Sequence, residues 1–394
     1  MKILMWMGGS FDRRTPSEHL LTAIIQALYA NNHTVHIIQK DTGGPLPQLP
    51  KDLEDLGVTT DCVPCKMVSK SNFVARYLMD LKYVLKCRKV IRKHRDCKAV
   101  FNQSSNVAGI MAYIIRHTLP NVRLTYNVQD IFPENAAFMG SVKGMTYKIL
   151  SAEQRYAYRR ADQIITISKD MMELLVEKGA DPKKIEVIYN WSYNDKLYKK
   201  EEVYSKKIED FFVENKFNVV YAGNIGLMQN VGIVVDVAKV MQEETDIHFH
   251  IFGDGIYKER LQKEAENLDN ISFWPMQQSE LAPSIYAMAD VNIIPLAQNI
   301  FRVALPSKIA TCIACQSPII FCFGKESKFG QWMEKEEGFY VTDCHNEKKL
   351  AEVIRNIKKN GAVTNNEFIF TEFFSRRKNS NRYAELIIGE NKKE

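Results

Sequence analysis

Three glycine-bearing turns, one lysine at the head of an apolar run and two carboxylates beside a proline are the residues of this chain best suited to chemistry. The first turn, Met7-Gly8-Gly9-Ser10-Phe11, runs through Arg13 and Arg14 into a helical pattern near Glu18. Glycine lets backbone N–H groups approach a ligand closely, and a helix start favours an anion. Gly9 and the arginines therefore suit a phosphate or an acceptor, although an ordinary strand-to-helix turn also carries Gly-Gly. The second turn, Gly223-Asn224-Ile225-Gly226, offers its amides to a diphosphate, and Gly253-Asp254-Gly255 follows the next apolar strand. Three such turns at strand ends say more than any one.

Ala304-Leu305-Pro306-Ser307-Lys308-Ile309 places a proline, a hydroxyl and a lysine where a helix begins, with Arg302 close by. That combination makes a cationic anion site, or a plain helix start with a solvated lysine. Asp130 and Glu134, in Gln129-Asp130-Ile131-Phe132-Pro133-Glu134, lie just beyond a strand. Carboxylates there accept hydrogen bonds from sugar hydroxyls or assist proton transfer, while an aspartate at such a turn also serves as a cap.

The elements that position these residues alternate as strand and amphipathic helix, the pattern of parallel sheets with crossover helices. Strands are expected at 2–7, 34–39, 59–63, 99–102, 124–128, 164–168 and 186–189, then at 218–222, 248–252, 271–273, 291–295, 318–322 and 339–341. Each half is thus expected to form a Rossmann-like doubly wound α/β domain. The expected divisions are a first domain over 1–195, a polar linker over 196–216 and a second domain over 217–375, with late helices near 347–359 and 373–388 and a frayed charged tail at 391–394. Two such domains leave a crevice at the carboxyl ends of their sheets, where open α/β folds bind ligands.

A chain of 394 residues with 45% hydrophobic and 25% charged residues has ordinary globular composition, and no apolar run is long enough to cross a bilayer. The first seven residues read as a strand rather than a signal peptide, which points to the cytoplasm. Eight scattered cysteines, with C-x-x-C spacing at Cys62/Cys65 and Cys312/Cys315, lack an accompanying histidine pair and fit a reducing compartment better than a metal or redox centre. The net charge of +6 is too modest to imply nucleic-acid binding. Its distribution is uneven: residues 66–98 hold eleven Lys/Arg, Lys70 among them, against two Asp. Over 73–98, Phe73, Tyr77, Leu81, Val84 and Ile91 recur at helical spacing while Lys82, Lys86, Lys89 and Lys93 share another face. A helix of this kind suits an anionic membrane leaflet, or is a surface helix with its stripe in the core.

Taken in order, the motifs resemble those of retaining glycosyltransferases of family 4, which have the GT-B fold, in the bacterial surface-polysaccharide branch. The resemblance rests on Asp130-Ile131-Phe132-Pro133-Glu134, Arg160-Ala161-Asp162, Val187-Ile188-Tyr189-Asn190-Trp191, Tyr221-Ala222-Gly223-Asn224-Ile225-Gly226, Phe252-Gly253-Asp254-Gly255, Ala289-Asp290-Val291 and Leu305-Pro306-Ser307-Lys308. It implies a nucleotide-diphosphate sugar, with a UDP-sugar favoured, held by the second domain and a saccharide or polyprenyl-linked acceptor held by the first. Further implications are retention at the anomeric carbon, no cofactor or essential metal, and a last helix that returns to the first domain. On this reading Asp130, Glu134, Lys308 and Arg302 carry the reaction, and Gly9, Gly223, Asn224, Gly226, Gly253, Asp254, Gly255, Ser307 and Thr311 bind donor.

The chain also departs from the family. Thr311 and Val303 stand where many members have glutamates, and Leu227-Met228-Gln229-Asn230-Val231 replaces a stretch bearing an arginine and a lysine. Phosphate binding then falls to Lys308, with Arg302, and ribose binding to a group not identified. Two other functions share the fold: a non-catalytic partner that has lost the acidic pair, and a nucleotide-sugar epimerase.

Overall fold

The structure, a computed structural model, describes residues 1–11, 18–43, 49–66, 68, 72–103, 105–193, 195–361, 364 and 366–390. Arg13, Arg14, Lys70 and the 391–394 tail lie outside the described residues. The chain divides into two compact units, Met1–Asn190 with Arg376–Glu394, and Trp191–Ser375.

The first unit is built on seven strands: β1 (Lys2–Trp6), β2 (Thr34–Asp41), β3 (Thr59–Pro64), β4 (Ala99–Gln103), β5 (Arg123–Val128), β6 (Gln163–Thr166) and β7 (Ile185–Val187). They pair in the order β3-β2-β1-β4-β5-β6-β7, all parallel. Helices cover both faces, so strands such as β1, with Ile3 to Trp6 fully buried, are near-continuous apolar runs rather than alternating ones. The expected strand over 164–168 stops at Thr166 because the Ser168 hydroxyl oxygen accepts the N–H of Met171 and caps the helix Lys169–Glu177. Helix Arg376–Ile388 packs against helix Glu18–Ala30 in this unit, with Tyr383 and Ile387 buried and the Leu386 carbonyl accepting Arg123 Nε at 2.9 Å.

The second unit has six strands: β8 (Phe217–Ala222), β9 (Ile247–Phe252), β10 (Ile271–Trp274), β11 (Val291–Pro295), β12 (Ile319–Cys322) and β13 (Phe339–Thr342). Their order is β10-β9-β8-β11-β12-β13, again all parallel. Helix Glu347–Asn360, capped where Asn346 accepts the Lys349 N–H at 2.9 Å, buries Leu350, Ala351, Ile354 and Ile357. That one-sided spacing docks it beside helix Gly232–Val240 on the sheet.

The 196–216 segment, expected as a linker, is packed into the second unit instead. Ile208 is fully buried, the Phe211 ring lies 4.8 Å from Trp274 and the Phe212 ring 5.0 Å from His250. Tyr198 N–H also bonds the Ala314 carbonyl at 2.7 Å. These anchors are too widely spaced to give a periodic signal; they place the segment in the second unit, and the first unit ends at Asn190 rather than 195.

In each sheet the strand order reverses beside the first strand of the unit, between β1 and β4 and between β8 and β11. Loops leaving the carboxyl ends at such a point diverge and leave room for a ligand. Gly9 follows β1, Gly223 follows β8, and the chain to Lys308 follows β11.

Candidate active site

In the second unit the glycine turns are zipped together. Gly223 N–H bonds Phe252 O and Ile225 N–H bonds Asp254 O, each at 2.8 Å, and Gly253 N–H bonds Trp274 O at 3.1 Å. The approach is possible only without side chains: a Cβ on Gly253 would lie 1.9 Å from the Gly223 carbonyl oxygen, and one on Gly255 would lie 2.3 Å from that of Ile225. The expectation that all amides from Gly223 to Gly226 face a diphosphate is therefore corrected. Those of Gly223 and Ile225 are spent on the neighbouring turn, while within this turn, among the described residues, the N–H groups of Asn224 and Gly226 have no acceptor.

Lys308 reaches into this turn. Its ammonium sits 4.0 Å from the centre of the Tyr221 ring and would lie 2.6 Å from a Cβ on Gly223, whose φ is +145°. Tyr221 is locked in turn by its hydroxyl, which donates to Asn224 O at 2.6 Å. Among the described residues no carboxylate pairs with Lys308, and desolvation lowers its pKa from 10.5 to about 8. A desolvated cation with no counter-ion beside two free amides is a site prepared for an anion. The helix it opens, Lys308–Ala314, is two turns long, so Lys308 itself rather than a helix dipole supplies the positive charge.

The other predicted donor-side residues divide. Thr311, one turn beyond Lys308, shares its helix face and is half-buried, and Ser307 is exposed and makes no capping bond. Arg302 ends the short turn Ile300–Arg302 ahead of them. Gly226 is crowded by Asn224 Nδ2, which donates to Gln229 Oε1 at 2.9 Å. Asp254 is drawn into its own turn, paired with Lys258 at 2.8 Å and accepting Met276 N–H at 3.3 Å, so its carboxylate braces the loop. Val303 is buried and fills core space where many family members have an acid.

In the first unit Asp130 leaves the end of β5, anchored by buried Ile131 and Phe132. Desolvation on its protein side pushes its carboxyl up to about 6, easier to protonate than usual, while the residue keeps an edge open to water. Glu134, expected to take part in the reaction, is instead neutralised by an ion pair with Lys178 and by the Tyr147 hydroxyl at 2.6 Å, all behind a mostly buried surface. It holds the turn in place. Gly9 is exposed, and a Cβ there would meet open space, so this turn does not require glycine sterically.

A polar network that the sequence did not reveal fixes the Asp130 loop. Gln129 Nε2 donates to Asn127 Oδ1 at 3.1 Å and to the Tyr383 hydroxyl at 3.3 Å, and Gln129 Oε1 accepts from Asn190 at 2.8 Å. Tyr383 OH donates in turn to Asn127 Oδ1 at 3.1 Å. Tyr383 comes from the last helix, over 250 residues away in the chain, and no local signal links it to Asp130.

The chain matches the family Glycosyltransferase Family 4 over residues 17–191 and the family Glycosyl transferases group 1 over residues 216–360. It is 27% identical over 205 residues to the putative colanic acid biosynthesis glycosyl transferase WcaI of Escherichia coli, a match spanning 50% of this chain and 49% of that protein. A second relative, the probable glycosyltransferase WbjE of Pseudomonas aeruginosa, is 22% identical over 289 residues, covering 71% of this chain and 70% of the other. Among solved structures, Anabaena HepE in complex with UDP and glucose superposes with a TM-score of 0.66 at 16% identity, covering 98% of this chain and 95% of that one. At that identity the likeness speaks for the shared fold, with two Rossmann-like halves.

Proposed function

The chain belongs to the glycosyltransferases of family 4, and from that premise we propose that it moves a sugar from a UDP-sugar to a lipid-linked saccharide, with retention at the anomeric carbon. The pathway would be assembly of a capsule, exopolysaccharide or O-antigen. The observation that carries the reading is Lys308, a desolvated cation held against the Gly223 turn and, among the described residues, without a counter-ion, beside the Asn224 and Gly226 amides that have no acceptor there. When the bond between the sugar and the diphosphate breaks, negative charge grows on the departing phosphate. A fixed ammonium and two fixed dipoles stabilise that charge more than they stabilise the ground state, which is what lowers a barrier.

Support for the donor class comes from HepE, solved with UDP and glucose, and for polysaccharide assembly from the colanic acid relative. In this reading Asp130 orients sugar hydroxyls, Arg302 assists Lys308, and Thr311 stands near the ribose. No metal or cofactor takes part. The enzyme works on the cytoplasmic side, resting peripherally on the membrane through residues 73–98. Helix Phe73–Ile91 turns Tyr83, Val84, Cys87 and Ile91 into the core but leaves Val74, Leu78 and Leu85 exposed among Lys82, Lys86 and Lys89. A basic face carrying apolar side chains suits an anionic leaflet.

The test is a panel of nucleotide sugars incubated with the protein and a polyprenyl-lipid extract, read by mass spectrometry and by release of nucleoside diphosphate. A glycosylated lipid with stoichiometric UDP is the expected result. Donor converted to its epimer without acceptor would make the chain an epimerase. Neither product nor UDP binding by calorimetry would make it a non-catalytic partner.

A further inference from the structure

At the amino end of the first sheet, away from the loops that leave its carboxyl end, three potential metal ligands converge. His36 lies on β2, Asp61 on the neighbouring β3, and His94 in the turn after helix Phe73–Ile91. The β2–β3 register places His36 opposite Thr59, which brings Asp61 alongside. His36 Nε2 is 3.1 Å and His94 Nε2 is 2.9 Å from the same oxygen, Asp61 Oδ2, and the three atoms lie within 4.8 Å of one another. Both histidines are buried.

We propose that His36, Asp61 and His94 form a zinc site that clamps β2, β3 and the turn after the long helix. Two imidazole nitrogens and one carboxylate oxygen are a common zinc donor set, and the partly exposed Asp61 leaves room for water as a fourth ligand. Two further observations favour it. His36 Nδ1 is 2.7 Å from Thr59 Oγ1, the outer hydrogen bond that fixes the ring of a metal-binding histidine with Nε2 turned inward. Lys2, the cation that bears on His36, is itself engaged by Asp96 at 3.0 Å. The rings stack with centroids 3.9 Å apart. Binding would open them to about 5 Å so that both lone pairs converge on an ion about 2.0–2.1 Å from each nitrogen. The site lies outside the residues assigned to the reaction, so it is a structural clamp and leaves a metal-independent transfer intact.

The test uses the full chain, free of any affinity tag, stripped with a chelator and titrated calorimetrically with zinc salt alone. One equivalent should bind. Asp61→Asn and His94→Gln each remove a direct ligand, so each should weaken binding by more than the roughly hundredfold that loss of an outer-shell partner costs. In wild type, cobalt in place of zinc should give visible d–d bands without the near-ultraviolet band of thiolate ligation. Zinc should also protect His36 and His94 from diethyl pyrocarbonate, read by peptide mass spectrometry, a measurement that stands even if a variant fails to fold. No stoichiometric binding, a thiolate band, unchanged affinity in folded variants, or unprotected histidines would each overturn the assignment.

Discussion

Replacing Lys308 with methionine keeps most of the length of the side chain and removes its charge, and the structure sets the consequence for folding apart from that for turnover. With its pKa lowered from 10.5 to about 8, the ammonium of this half-buried lysine is disfavoured on the order of 3 kcal/mol, at about 1.4 kcal/mol for each unit. The Tyr221 ring, 4.0 Å away, returns about 1–2 kcal/mol of that. Among the described residues no carboxylate compensates the charge, so Lys308→Met should leave the melting temperature unchanged or raise it slightly. Turnover should behave differently. Loss of one preorganised charge contact to a departing oxyanion costs about 3–4 kcal/mol, a fall in kcat of roughly 10²- to 10³-fold. There is also a signature in pH. As pH rises through about 8 the free enzyme loses the proton of Lys308, so wild-type kcat/KM should decline on that limb while the Lys308→Met profile, low throughout, stays flat there. The assay is release of nucleoside diphosphate between pH 6 and 10 on protein whose melting curve has been checked. Near-wild-type kcat in the variant, or a variant that keeps the alkaline limb, would refute the assignment of Lys308 to the leaving group.

Gly253→Ala puts a Cβ 1.9 Å from the Gly223 carbonyl, so the two turns must part at a cost of about 1–3 kcal/mol; a lower melting temperature and weaker UDP binding are expected, against a near-silent Gly9→Ala, and an unchanged melting curve would show that the turns are not locked as described. His250 and His248 are held neutral, with pKa values lowered from 6.5 to about 3 and about 4. The unfolded chain therefore takes up protons first as pH falls below 6.5, and stability present above that value should drop by roughly 2 kcal/mol for each histidine between pH 6.5 and 5. Urea unfolding at those pH values, with His250→Gln flattening part of the slope, checks this; a stability flat between pH 7 and 5 would contradict it. Sedimentation with anionic vesicles should capture the wild type at low salt, and Leu78→Ser with Leu85→Ser should release it without loss of UDP binding; equal capture of both would remove that helix as the contact.

Asp130 and Glu134 show how far motif reading reaches. Both are carboxylates four residues apart in one turn, and from sequence they look alike. Folding separates them, because Lys178 and Tyr147 arrive from distant helices to neutralise Glu134 while Asp130 stays open to water. Asp254 is a similar case: its glycine neighbours are where the motif suggests, yet Lys258 and the Met276 amide occupy its carboxylate. His36, Asp61 and His94 carry no local signal, being 25 and 33 positions apart with nothing in between to connect them.

What the sequence determined by itself was the alternation of buried strands and covering helices in two successive domains, and with it the placement of glycine turns, Asp130 and Lys308 beyond strand ends. Those features are written in local composition: apolar runs, strand-end glycines and a proline before Lys308. The tertiary structure alone decided which polar groups remain available. Whether an amide, a carboxylate or an ammonium has a partner depends on what packs across from it, and the partners here come from far along the chain: Phe252 for Gly223, Lys178 for Glu134, Tyr383 for the loop before Asp130. Lys308 is set apart because folding brings it an aromatic ring and a glycine but, among the described residues, no counter-charge.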